Sequence, residues 1–371
     1  MSGHDLIVIG GGLIGSAIGW GAARAGADVV VLDEGDVAFR AARGNFGLVW
    51  LQGKGVGTPP YMHWSLRAGH LWPLFAATLQ EQTGIDIGWR PSGGLHFCFS
   101  ESELQSQRDM IARTKANGGN IEIEMVDRAA LADMLPGLGP GSELGPAVQG
   151  ASFSPHDAHV SPLYLLRALQ KGLQLAGGSY QPNFCVDDIT SQSDGFTVSS
   201  QGRQIHGRRL VIAAGLGAAK LAPQVGLNMP VTPERGQIVV TERIKPFFPY
   251  ASNCLRQSAE GSVLLGSSHE DAGFDDSTDA KAAAKLCHLA ARVFPRLADA
   301  AVVRIWGALR VMTPDGLPIY EESHRFPGAF AVTCHSGVTL ASIHALEVGP
   351  SIARGTLPDA ARYFGSARQT Q

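Results

Sequence analysis

The sequence predicts an α/β fold in which a Rossmann-like unit is interleaved with a second, β-sheet-rich unit. Three observations predict it. The chain opens on a short apolar run, Asp5 to Ile9, followed by a glycine turn, a helical stretch and a second apolar run, Ala27 to Leu32. Apolar runs ending in glycine or small residues recur at Leu210 to Gly215 and at Ala329 to Gly337. Between these lie stretches with strand character and amphipathic helices, and no internal repeat.

The elements follow in order. Asp5 to Ile9 has the continuous apolar character of a central parallel strand. Ser16 to Gly26 is spaced as a helix. A helix is expected over Tyr61 to Thr83, a strand over Gly93 to Phe99, a charged amphipathic helix over Glu101 to Asn117 and a strand over Ile121 to Val126. Pro136 to Gly150 reads as a connector. Ser161 to Ala176 is a helix with Pro162 in its first turn, resembling an N-capped start. Phe196 to Ser199 and Gln204 to His206 pair as a hairpin, Gln237 to Thr241 and Ser262 to Gly266 are β-rich, and Lys281 to Val293 is a helix. The chain ends with a strand, Ala329 to Thr333, and a helix, Val338 to Ala353.

Composition excludes several functions. The 371 residues carry 30 Lys+Arg against 33 Asp+Glu, a net charge of −3 without a basic run, which argues against nucleic acid as a partner. The hydrophobic fraction of 44% is that of a folded protein, and the length suits two domains. The 46 glycines, about 12% of the chain, sit at turns without a period, so collagen-like readings fail. The five cysteines, Cys98, Cys185, Cys254, Cys287 and Cys334, stand too far apart for a zinc or iron–sulfur clip, so no metal site is expected and a reducing, cytoplasmic setting is. The uncharged run Leu6 to Ala23 has the length of a membrane span, but six of its 18 residues are glycine, and it reads as strand, turn and helix instead of a membrane insertion.

The glycine turn carries chemistry. Gly10, Gly12 and Gly15 form a GxGxxG pattern between strand and helix, and Asp33 closes the next strand 23 residues after Gly10. Gly10 permits the tight turn, Gly12 lets a pyrophosphate approach the backbone, and Gly15 lets the helix pack close. The pyrophosphate then meets the helix N-terminus around Leu13 and Ile14. Asp33 is placed to accept from a ribose hydroxyl; Glu34 is the adjacent alternative, and strand phase favours Asp33. The pattern alone does not separate NAD from FAD. Arg43 to Gly47, with Gly44, Asn45 and Phe46, follows the second strand where a flavin protein wraps its loop around the cofactor. Thr333 to Gly337 leads into a second helix start, whose N–H groups at Gly337, Val338 and Thr339 suit the negative charge of a reduced flavin. An ordinary strand-to-helix turn is the alternative.

These residues resemble the D-amino acid oxidase-like FAD-dependent amine oxidoreductases, which include glycine oxidase and sarcosine oxidase. The resemblance spans nearly the whole chain. It rests on Gly10 to Gly15 with Asp33, Arg43 to Gly47, Pro155 to Pro162, Val211 to Gly215, Trp306 to Arg310 with Thr313 to Gly316, and His335 to Gly337. Within the family, Gly44 to Gly55 is most similar to the FAD-carrying β-type subunits of hydroxyproline, proline and opine dehydrogenase complexes, in which a partner subunit carries an iron–sulfur site. The resemblance implies an FAD domain from residues 1–84, 146–219 and 306–371 and a substrate domain from 85–145 and 220–305, whose sheet roofs the flavin. It adds Val186 beside the adenine, and Ala214 and Gly215 at the cofactor. Two departures bear on mechanism. Leu309 to Thr313 holds no cysteine where sarcosine oxidase attaches its flavin, which favours non-covalent FAD. Leu264 stands where that enzyme has an oxygen-activating lysine, which favours a dehydrogenase.

The reaction so implied is oxidation of a C–N bond by hydride transfer from an amino acid α-carbon to flavin N5. A carboxylate-bearing substrate needs a cation, and Arg310 of the Trp-Gly-x-x-Arg element is the candidate, because a guanidinium fork holds a carboxylate in two parallel bonds. A structural pairing of Arg310 with Asp315 is the alternative. His335 is a candidate for contacting the flavin or tuning pH dependence. His63 and His269 are weaker candidates. Arg256 is a candidate second substrate contact, and Trp50, Tyr61 and Tyr250 candidates for an apolar wall. The substrate expected is a secondary or cyclic amino acid, D-hydroxyproline, proline-like or opine. The rival readings are a self-sufficient glycine or D-amino acid oxidase, a flavin-bound structural subunit of a larger complex, and, more distantly, an NAD-dependent dehydrogenase.

Overall fold

The computed structural model describes residues 3–35, 40–135, 144–366 and 368. The first part of the expected connector, 136–143, lies outside them. The organising element is a mixed sheet whose strand order is Ile319–Glu322, Ala329–Thr333, Arg203–Ile212, His4–Ile9, Val29–Leu32 and Ser179–Gln181. The strand His4–Ile9 is central and pairs in parallel with Val29–Leu32 on one side (Ile7 beside Val30) and with Arg203–Ile212 on the other (Val8 beside Val211). Its apolar residues, like all four of Val29–Leu32, are buried, because both faces of the sheet are covered. The helix Leu13–Arg24 returns the chain from the first strand to the second. The hairpin Gly195–Ser200 with Arg203–Ile212 has the expected antiparallel pairing, Val198 opposite Ile205.

Two further sheets form the second unit. Thr232–Arg243 runs antiparallel to Val302–Met312, with Glu234 opposite Arg310, and also to Ser262–Gly266, which pairs in turn with Leu255–Gln257. The other sheet is ordered Ala251–Ser252, Gly94–Cys98, Gly150–Ser154, Glu124–Asp127. Phe97, Phe247, Phe248 and Phe294 fill the core between them. Two segments expected in the FAD domain pair in the sheets of this unit: the strand Gly150–Ser154, and the part of Val302–Met312 from Trp306 onward.

Local differences from expectation have physical causes. The strand expected over Ile121 to Val126 is found at Glu124–Asp127, because Ile121 and Ile123 are buried against Leu51, Met62 and Leu66 from loop positions. The helix at Pro162–Leu175 has Ser161 at its N-cap, but that side chain makes no capping bond. The C-terminal helix begins at Ala341 rather than Val338 and passes through a π-helical turn, His344–Val348, before Gly349–Ala353. Pro350 has no N–H with which to continue the α-helical ladder through that turn. Among the described residues no helix is long and apolar enough to cross a membrane.

Candidate functional site

Parallel strands send their C-terminal ends to one edge of a sheet, and a ligand crevice opens where the strand order reverses. Here the central strand has neighbours leading away on both sides, so the crevice lies at its end. The residues that follow four of these strands, Gly10, Asp33, Ala213 with Ala214, and Cys334, all line one cavity of about 690 Å³. Gly236, Ile238, Gly266 and Ala308 of the second unit close it from the opposite side.

At one end the geometry is that of a nucleotide cradle. Gly10 has φ of +106°, and a Cβ on Gly15 would stand 1.8 Å from the Gly10 carbonyl oxygen, so strand and helix meet closer than any side chain permits. A Cβ on Gly12, by contrast, would meet only Ala42 Cβ, at 3.7 Å. Gly12 is the N-cap of the helix Leu13–Arg24, and neither a capping side chain nor a first-turn acid competes for the helix N-terminus. That terminus favours an anion. Asp33 accepts from Gly11 N–H at 2.7 Å and Gly35 N–H at 3.0 Å while facing the cavity. Glu34 also lines it and pairs with Arg40 at 2.9 Å. Val186, Gly215, Leu13 and Ile14 complete this end. The donor set fits a dinucleotide: backbone N–H groups for the pyrophosphate, a fixed carboxylate for a ribose, apolar walls for a base.

Gly44, Asn45 and Phe46 line the cavity, and Gly44 carbonyl accepts from Trp306 Nε1 at 3.2 Å, tying the loop to the second unit. Gly15, Arg43 and Gly47 stand outside the lining. Gly15 packs under the turn, and Gly47 N–H donates to Asn45 Oδ1 at 2.7 Å to hold the loop. Gly337, Val338 and Thr339 line the opposite end, and Thr339 Oγ1 accepts from Trp50 N–H at 3.2 Å.

That opposite end gathers Trp50, Lys54, Ser267, His269, Arg310, His335 and Ser336. Arg310 stands over Gly236, where any Cβ would meet its guanidinium at 2.5 Å. Its terminal nitrogens donate to Glu234 Oε1 (2.9 Å), the Arg235 carbonyl (3.2 Å), Ser267 Oγ (2.6 Å) and the Ser268 carbonyl (2.7 Å). These four bonds occupy the N–H groups of both nitrogens, so a carboxylate entering in the bidentate manner displaces one of these partners. Asp315 is not among them; it accepts from Arg368 at 2.9 Å. His335 is exposed to the cavity it lines, and desolvation by the protein around it, helped by Lys54 and Arg310, pulls its imidazole down to about 4. It is therefore neutral at physiological pH, a hydrogen-bonding group and not a titrating switch.

Two expected substrate contacts lie elsewhere. Tyr250 packs edge-on against Phe153 and Phe248 in the second unit's core, its hydroxyl donating to the Met134 carbonyl at 3.3 Å. Arg256 is buried beside the loop, not in the cavity lining; its Nε donates to the Phe46 carbonyl, and burial lowers it to about 10, still cationic at neutral pH. Leu264 also lies outside the lining, Gly266 and Ser267 being the parts of that segment that reach it.

The residue missed in the sequence is Lys54. Its Nζ donates to Ser336 Oγ at 2.8 Å, and the same oxygen accepts from Tyr61 OH at 3.0 Å. Its position is set by Asp157, a fully buried carboxylate that accepts from Leu51 N–H (2.6 Å), Gln52 N–H (3.3 Å) and Gln52 Nε2 (2.6 Å). Burial pushes the Asp157 carboxyl up to about 6 against the pull of these bonds and of Lys54. A signal existed: Lys54 is the only Lys, Arg, Asp or Glu between Arg43 and Arg67.

Comparison with known proteins agrees with this cradle. The family model described as FAD dependent oxidoreductase matches residues 5–349. The chain is 42% identical to the B subunit of opine oxidase from Agrobacterium tumefaciens (strain Ach5), over 98% of this chain and 97% of that one. It is 40% identical to the B subunit of opine oxidase from Rhizobium meliloti, over 98% and 97%. The crystal structure of glycine oxidase from Geobacillus kaustophilus superposes with a TM-score of 0.87 at 26% identity, covering 98% of each chain. Cradle, crevice and full-length match agree: the chain belongs to the FAD-dependent oxidoreductases of the D-amino acid oxidase family, and is an oxidoreductase of amines or amino acids.

Proposed function

We propose that the protein is a dehydrogenase subunit that oxidises the C–N bond of a secondary or cyclic amino acid, with an opine, an amino acid bearing a carboxyalkyl group on its nitrogen, or a hydroxyproline-like ring as substrate. The observation that carries this reading is the end of the cavity where the Arg310 guanidinium opens beside Lys54, Trp50 and His335. Bound non-covalently, FAD supplies the hydride acceptor. The chain's residues do the rest. The helix N-terminus and Asp33 hold the dinucleotide. Arg310 receives a substrate carboxylate by exchanging Glu234 or a serine partner for it, and Trp50 offers an apolar face. Neutral His335 donates or accepts one hydrogen bond without adding charge.

Likeness to the B subunits of two opine oxidases supports the N-substituted substrate and an assembly with another subunit, for which an iron–sulfur protein that takes up the electrons is the proposed partner. The second reading, an oxidase that passes electrons to oxygen, is favoured by the likeness to glycine oxidase. Cytoplasmic residence is part of the proposal.

The test is anaerobic bleaching of the purified holoprotein's flavin absorbance by D-hydroxyproline, proline, glycine and an N-(1-carboxyethyl) amino acid, with Arg310→Ala beside the wild type. Bleaching by a secondary amino acid in the wild type alone, without peroxide when air is admitted with substrate, is the expected outcome. Turnover with stoichiometric peroxide supports the oxidase. Purified protein that neither holds nor takes up FAD returns the structural-subunit reading.

A further inference from the structure

We propose that Lys54 is the proton acceptor for the substrate nitrogen: its Nζ takes a proton from the substrate ammonium before the α-carbon is oxidised. The proposal rests on the amine-substrate reading above.

The need is chemical. A secondary amine is an ammonium at neutral pH, with an ordinary value near that of lysine, ~10.4. An ammonium has no lone pair with which to form the imine as hydride leaves. Something at the site must remove the proton, or only the small free-amine fraction reacts.

Lys54 is placed for that task. It lines the cavity at the end that holds Arg310 and His335. The turn that carries it is pinned at its base by Asp157 through Leu51 and Gln52, and Gln52 is fixed further by Gly94 carbonyl (3.1 Å) and Ser152 Oγ (2.6 Å). Among the described residues no carboxylate lies within ion-pair distance of Nζ; its one hydrogen-bond partner is a neutral hydroxyl, Ser336. A lysine removed from bulk water without an adjacent counter-ion gives up its proton more readily than one in solvent.

The groups around it do not reverse that preference. Cys334, at the end of the strand Ala329–Thr333, and Tyr61, from the helix Pro59–Thr83, are each pushed up to about 12 by burial and stay neutral. His335 is neutral too. Asp157, from the turn after Gly150–Ser154, favours the ammonium, but burial outweighs it and Lys54 lies below its ordinary value. The remaining candidates, Glu234 and His269, are engaged with each other at 2.8 Å. In the proposed step one N–H bond of the substrate ammonium breaks and one forms on Nζ. No electrons change hands, and the proton leaves to solvent when product departs.

The test is the pH dependence of anaerobic flavin reduction in holoenzyme, using whichever amino acid of the panel above bleaches it. In Lys54→Met the rate at pH 7 falls roughly 1000-fold, within the range for a lost general base. It then climbs about tenfold per pH unit and meets the wild type near pH 10, where the substrate loses its own proton. Ethylamine in the buffer restores the variant at pH 7. Loss by one constant factor at every pH without amine rescue, or an unchanged profile, overturns the proposal. If no panel member bleaches the wild type, the substrate reading fails on its own. The proposal is then decided by the 13C signal of dimethylated Lys54, identified by its loss in Lys54→Met. Titration well below the ordinary lysine value upholds it; titration near ~10.4 overturns it.

Discussion

Replacing Asp157 by alanine tests how the protein holds the turn that delivers Lys54. The carboxylate is fully buried and serves three donors of Leu51 and Gln52. Gln52 Nε2 keeps the Gly94 carbonyl, so alanine orphans chiefly two buried backbone N–H groups. At ~1–3 kcal/mol for each, the loss of stability is about 3 kcal/mol at pH 7.5. The pH dependence is the sharper test. The folded Asp157 binds its proton up to about pH 6, against 3.8 for the ordinary carboxyl. A raised carboxyl contributes stability that is complete below the unfolded value and is lost as pH rises through the folded one. Between pH 5 and pH 7.5 about one proton-unit of this linkage is lost, worth ~1.4 kcal/mol. The Asp157→Ala penalty is therefore about 1.4 kcal/mol larger at pH 5 than at pH 7.5. Urea melts of wild type and variant at the two pH values, monitored by tryptophan fluorescence, measure it. An equal penalty at both, or a larger one at pH 7.5, refutes the reasoning.

Three further outcomes follow from the site. Gly15→Ala places a Cβ 1.8 Å from a backbone oxygen, whereas the Cβ of Gly12→Ala points into open cavity. The first therefore loses both thermal stability and flavin, and the second keeps the stability of the flavin-free protein but binds FAD more weakly, read by flavin content and apoprotein melting. Arg310→Ala raises the dissociation constant of a carboxylate substrate by roughly 30- to 150-fold, the loss of ~2–3 kcal/mol of charge-assisted bonding, while a matched substrate amide is affected far less. His335→Gln leaves the shape of the pH–rate profile between pH 5 and pH 8 unchanged, because His335 releases its proton at about 4 in the folded protein; a limb near pH 6.5 that vanishes in the variant contradicts this.

Much of the site was legible because its chemistry is local. Gly10, Gly12, Gly15 and Asp33 belong to one βαβ unit, and a turn that must bring backbone against phosphate tolerates few residues, so spacing alone marks it. Arg310 and His335 were legible through the resemblance, each inside a short ordered motif. Arg256 and Tyr250 were not separable from core, because a half-apolar side chain near the site and one buried beneath it have the same sequence signature. The sheet that Gly150–Ser154 joins was hidden for a similar reason. A five-residue strand does not announce its neighbours, and its partners Gly94–Cys98 and Glu124–Asp127 are chosen by long-range pairing.

By itself the sequence determined the α/β class, the nucleotide crevice and the family, since apolar periodicity and glycine spacing are local constraints that backbone geometry imposes. Only the tertiary structure decided which charges matter. It engaged both nitrogens of the Arg310 fork with Glu234, Ser267 and two carbonyls, neutralised His335 by desolvation, and brought Lys54 against Ser336 across 282 positions of the chain. The charge state of a side chain is set by the water it loses and the neighbours it gains, and both are properties of the folded surroundings.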